Sequence, residues 1–110
     1  MLEAIFGNAT AEKALLHIFH YGEIHAAAIA SDYGVANTPV LKQLERFENA
    51  GILASRTVGK ARLYAINPKS LWAKPLTDLL RTAYEAMPLP EKERIFGARR
   101  RPRRKGKPVL

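Results

Sequence analysis

The apolar residues on either side of Gly51 repeat with different periods, and that change restricts the fold more than any other feature of the chain. Before it, in VANTPVLKQLERFENAG, Val40, Leu44 and Phe47 fall at i, i+4 and i+7, the spacing of one buried helical stripe, with Leu41 at its shoulder. Thr38 is expected to cap this helix, Pro39 suits its first position because its missing N–H costs nothing there, and Gly51 stands where a left-handed stop is wanted. After it, ILASRTVGKARLYAI reads as two short alternating runs folded about Gly59-Lys60. If those two residues form a type II′ turn, pairing puts Leu53, Ser55, Thr57, Arg62, Tyr64 and Ile66 on one face. Leu53, Tyr64 and Ile66 then point inward at the base of the hairpin, while Arg56, Lys60 and Arg62 gather toward its open end.

The remaining punctuation predicts further helices. In TAEKALLHIFHYG, Ala14, Leu15, Ile18, Phe19 and Tyr21 share one side, with Thr10 as cap and Gly22 as stop, after a short turn carrying Leu2, Ile5 and Phe6. A brief extended piece, EIH, leads into a short alanine-rich helix, AAAIASDY, ended by Gly34. In KPLTDLLRTAYEAM, Leu76, Leu79, Leu80, Ala83, Tyr84 and Met87 make a wide apolar stripe, either a lid on this chain's own core or a seam for a second copy. Pro88 and Pro90 end it. The expected organisation is a domain over residues 1–87 and a basic, disordered tail over 88–110.

Charge is distributed unevenly. The formal net charge is +8 over 110 residues. Residues 1–87 hold nine Lys/Arg against eight Asp/Glu, whereas residues 88–110 hold nine against two. A near-neutral body with a strongly basic tail points to a polyanionic partner, either nucleic acid or a membrane surface, and composition does not choose between them. No cysteine is present, which excludes disulfides, thiolate metal sites and a cysteine nucleophile. The amino terminus carries Glu3 and Glu12 where a secretory signal needs basic residues, so the expected location is the cytoplasm, without membrane association. His17, His20 and His25 are read as partly buried histidines rather than metal ligands, and Trp72 and Tyr84 as packing residues. No cofactor is expected, and no paired carboxylates, ordered triad or phosphate-cradling glycine loop suggests an enzyme.

The stretch IASDYGVANTPVLKQLERFENAGIL has Ala30 four residues before Gly34, then Val35, Val40, Leu44 and Phe47, then Gly51-Ile52. With the hairpin that follows, it resembles the winged helix-turn-helix of ArsR-like and MarR-like transcription regulators, over about residues 10–67. The resemblance implies an α+β fold with a three-helix core, a two- to three-stranded wing sheet and an extra C-terminal helix. It also implies that residues 38–50 form a recognition helix in the DNA major groove, with the hairpin as the wing.

On that basis Asn37, Thr38, Lys42, Gln43 and Arg46 are the expected contacts from the helix, and Arg56, Lys60 and Arg62 those from the wing. Arg99, Arg100, Arg101, Arg103 and Arg104 of the tail would add phosphate contacts. The expected function is sequence-specific binding of duplex DNA by a transcriptional repressor, dimeric through residues 76–87, with any effector unidentified. Two alternatives stand beside it: an RNA-binding or ribosome-associated winged helix that relies on the tail, and a winged helix that contacts protein.

Overall fold

The computed structural model describes residues 1–97 of the chain. The expected tail contacts, Arg99, Arg100, Arg101, Arg103 and Arg104, lie outside the described residues. The elements run α1 (Glu3–Phe6), α2 (Ala9–Tyr21), α3 (Ala26–Tyr33), α4 (Asn37–Asn49), β1 (Leu53–Val58), β2 (Ala61–Ile66), α5 (Ala73–Ala86) and α6 (Leu89–Phe96).

Helix limits follow the backbone reversals more closely than the polar caps. Gly34 has φ 66°, its N–H reaches Ser31 O, and Val35 N–H returns to Ala30 O at 3.0 Å. This paired closure satisfies the last carbonyls of α3 and turns the chain sharply. Ala36 then takes extended backbone, so α4 begins at Asn37. Thr38 is therefore inside the first turn rather than its cap, and Pro39 sits where the N–H groups lack helical partners in any case. Thr10 is likewise inside α2. The cap is Asn8, whose side-chain oxygen accepts from Ala11 N–H at 2.8 Å after the reversal at Gly7.

The hairpin has the predicted register. Leu53 pairs with Ile66, Ser55 with Tyr64, Thr57 with Arg62 and Val58 with Ala61, leaving Gly59-Lys60 as a two-residue turn. Gly59 has φ 61°, and no non-glycine residue among those described has positive φ, in keeping with type II′. Ile24, in the extended EIH piece, exchanges both backbone hydrogen bonds with Tyr64, at 3.1 and 2.9 Å. The sheet has two strands, and this single bridge beside it, in place of a third, ties the α2–α3 connection to the hairpin.

Leu15 and Ile18 of α2, Ile29 of α3, Val40 and Leu44 of α4, Leu53 and Tyr64 of the hairpin and Leu80 of α5 form the centre of the core. Tyr64 is only 1% exposed. Helix α5 uses Leu80, Ala83 and Met87 as a lid on this core, with Leu76, Leu79 and Tyr84 half-buried beside them. Trp72 departs from its expected packing role, being 60% exposed at the start of α5.

The folded unit passes the expected boundary at residue 87. Pro88 and Pro90 end α5 and also start α6, occupying N-terminal positions that need no backbone donor. Ile95 and Phe96 are buried against the earlier helices. The ring of Phe96 stacks on His20 at 4.3 Å and lies 5.0 Å from His17, and Tyr21 Oη–H donates to its carbonyl at 3.4 Å. His17 is fully buried, with Nε2 2.9 Å from the Asp32 carboxylate of α3. His20 Nδ1 is 2.8 Å from Tyr84 Oη. Five aromatic or imidazole rings from α2, α5 and α6 thus meet where the last helix docks.

Cutting the chain after Met87 removes the buried Ile95 and Phe96 side chains, and should lower unfolding free energy by roughly 3 kcal/mol or more in urea titrations. Burial, and secondarily the neighbouring His17, push His20 down to about 4 from its ordinary value. The unfolded chain binds a proton at His20 near pH 6.5 and the folded chain only near pH 4. The His20 contribution to stability is therefore full above about pH 6.5 and declines as pH falls toward 4. His20→Gln should lose that part of the pH dependence when thermal midpoints are compared over this range.

Candidate nucleic-acid interface

Helix α4 buries Val40, Leu44 and Phe47, so its helical period turns Thr38, Lys42, Glu45 and Asn49 away from the core, and all four are exposed. Asn37 begins the helix and is exposed as well. Lys42 makes no ion pair among the described residues. A cation, a carboxylate and short polar groups on the outer face of one helix are the groups that can meet base edges and phosphates.

Arg46 is exposed but engaged. Its Nε and Nη2 donate to Gln43 Oε1 at 3.0 and 2.9 Å, Nη2 also donates to Phe6 O at 2.8 Å, and the guanidinium lies over the Phe47 ring at 4.6 Å. The side chain is therefore a strut between α4 and the end of α1, where Phe6 meets Phe47 edge to face at 6.4 Å. Gln43 belongs to the same cluster, on the flank of α4 rather than at the centre of its outer face.

The three wing cations separate into two environments. Arg62 shares a face with Ser55 and Thr57, and its Nη1 donates to Ser55 Oγ at 2.9 Å, while Ser55 Oγ–H donates to the Glu48 carboxylate of α4. Arg62 thus leaves the hairpin on the side of α4. Lys60 is exposed at the turn. Arg56 pairs with Leu63 across the strands and projects from the opposite face. Its Nε and Nη2 donate to the two Glu23 carboxylate oxygens at 2.6 and 2.8 Å, a fork-to-fork ion pair. Hydrogen bonding from Arg56 holds the Glu23 carboxyl below the usual carboxylate range. Arg56 is thereby committed to anchoring the hairpin to the α2–α3 connection.

Two polar clasps, Glu48–Ser55–Arg62 and Glu23–Arg56, hold the hairpin from its two faces. Composition and spacing do not reveal them, since the partners are 7 to 33 residues apart in sequence. The Asp32 partner of His17 was missed for the same reason, at a separation of 15 residues.

No helix among the described residues is long and apolar enough to cross a membrane. No family model matches the chain, and no curated protein matches it in sequence. Solved structures do match. The AntR antimony-specific transcriptional repressor is 23% identical with a TM-score of 0.50, the match covering 66% of this chain and 64% of that one. A MarR-family transcriptional regulator from Rhodococcus sp. RHA1 is 14% identical with a TM-score of 0.56, over 86% of this chain and 79% of that one. A probable transcriptional regulator from Pseudomonas aeruginosa is 18% identical with a TM-score of 0.51, over 88% and 81%. With α3 and α4 bent about Gly34 and the β1–β2 hairpin beside them, the chain has the winged helix-turn-helix fold of these regulators.

Proposed function

We propose that this protein binds duplex DNA as a dimeric transcriptional regulator, with α4 in the major groove and the hairpin tip on the adjacent backbone. The observation that carries the reading is the pairing of an exposed Lys42 on the outer face of α4 with a hairpin that sends Arg62 toward that same helix. Thr38 and Asn37 lie near the leading end of α4, where base contact is usual. Lys60 and Arg62 pair with phosphates, and Arg56 acts indirectly by fixing the angle of the hairpin. The basic side chains after residue 97 add sequence-independent affinity. Regulation is by occlusion of a promoter.

The dimer seam is the uncharged flank of α5. Lys74, Asp78 and Arg81 pair with one another along the solvent side of that helix, at 3.1 and 2.9 Å. Trp72, Leu79 and Ala86 recur at seven-residue intervals on another side, continued by Leu71 and Leu89, which are 81% and 64% exposed. An apolar strip beside a charge-paired one supports burial against a second copy.

Binding to a selected duplex and to a random one should both weaken in Lys60→Ala and in Arg62→Ala, each with the log–log salt slope smaller by about 0.9. Structured RNA as competitor checks the partner class, and failure of the protein to bind any duplex at low salt would overturn the reading. Trp72 is the sole tryptophan of the chain, so its emission reports the seam directly. Dilution should shift that emission to longer wavelength, and Leu79→Glu should sediment as a monomer with an unchanged circular dichroism spectrum.

A further inference from the structure

The contacts between Gln43 and Arg46 decide which hydrogen-bonding groups this flank of α4 still offers. A guanidinium carries donors only, so the amide atom that faces it must be the oxygen, and the orientation of the Gln43 side chain is set by chemistry. That oxygen accepts from both Nε and Nη2 of Arg46, which occupies its two lone-pair directions. The second Nη2 hydrogen is taken by the Phe6 carbonyl. What remains is the amide nitrogen of Gln43 and Nη1 of Arg46, each with two N–H groups. The pair therefore presents four donors and no acceptor, backed by the Phe47 ring beneath the guanidinium.

A solitary glutamine recognises adenine by accepting from N6 with its oxygen while donating to N7 with its nitrogen. Gln43 has lost the first half of that exchange to Arg46. Guanine offers N7 and O6 to the major groove, two acceptors side by side, which a donor-only surface fits and an adenine amino group repels. We infer that Gln43 and Arg46 act as one specificity-determining unit that selects guanine over adenine. The inference rests on the duplex-binding reading proposed above and adds to it a base preference and the residues responsible. Phosphate oxygens are acceptors too, so the test has to separate a base edge from the backbone.

The full chain is used to select binding sites from random duplexes, and the preferred site is then resynthesised with 7-deazaguanine or adenine at the enriched guanine. The wild-type protein should enrich guanine at one position of each half-site and lose roughly tenfold in affinity on either replacement. Arg46→Ala frees the Gln43 oxygen, and its selected base at that position should change to adenine. Gln43→Ala leaves the Arg46 bond to Phe6 and the stacking on Phe47 in place, so it should remain folded by thermal melting and keep guanine. Adenine selected by the wild type overturns the inference, as does a uniform loss over all duplexes in Arg46→Ala, which would mark a phosphate contact. Absence of any duplex binding by the wild type overturns the DNA reading itself, an outcome distinct from binding with the wrong base.

Discussion

The rest of the molecule depends on the chain reversal at Gly51. At φ 79°, Gly51 N–H bonds to Glu48 O and Ile52 N–H bonds back to Phe47 O, both at 2.9 Å, so the last carbonyls of α4 are satisfied while the chain leaves as a strand. A side chain at this position would disfavour the left-handed geometry that both bonds require. Because so few residues intervene, the core passes without a break from Phe47 on the helix to Leu53 and Tyr64 on the hairpin. The angle between α4 and the hairpin is set at this junction.

Polar contacts then refine what the junction places. Glu48 lies in the last turn of α4, within reach of Ser55 just past the reversal, and Ser55 in turn receives Arg62 from the opposite strand. On the other face, Arg56 reaches Glu23, next to the residue that bridges to Tyr64. Exposed ion pairs of this kind contribute little to global stability, because water screens them and the side chains lose entropy in pairing. Their consequence is local: they hold a two-stranded hairpin, which is marginal alone, in one orientation to the body.

The aromatic cluster beneath α6 has a different logic. His17 is buried against Asp32, and the rings of Tyr21, Tyr33 and Phe96 surround it, so a polar group in the interior is matched by a partner on another helix. Helical periodicity marked Ala14, Leu15 and Ile18 as core but could not mark His17, since a histidine counts as polar in any such pattern. For the same reason Pro88 and Pro90 read as an end to helical structure, although Pro-Leu-Pro is also a helix start when an Ile-Phe pair follows that can be buried.

Local chemistry alone determined the order of elements as far as α5, the turn at Gly59-Lys60, the hairpin register and the buried stripe of α4. Each rests on interactions within a few residues, where propensity, φ restriction and apolar period all agree. Only the tertiary structure decided which cations stand apart and which are engaged. Lys42, Arg46, Arg56 and Arg62 are equivalent in composition, yet Arg46 is tied to Gln43 and Phe6, Arg56 to Glu23 and Arg62 to Ser55. A long flexible cation takes whichever acceptor the fold brings within about 3 Å, and that acceptor's position depends on how distant segments pack.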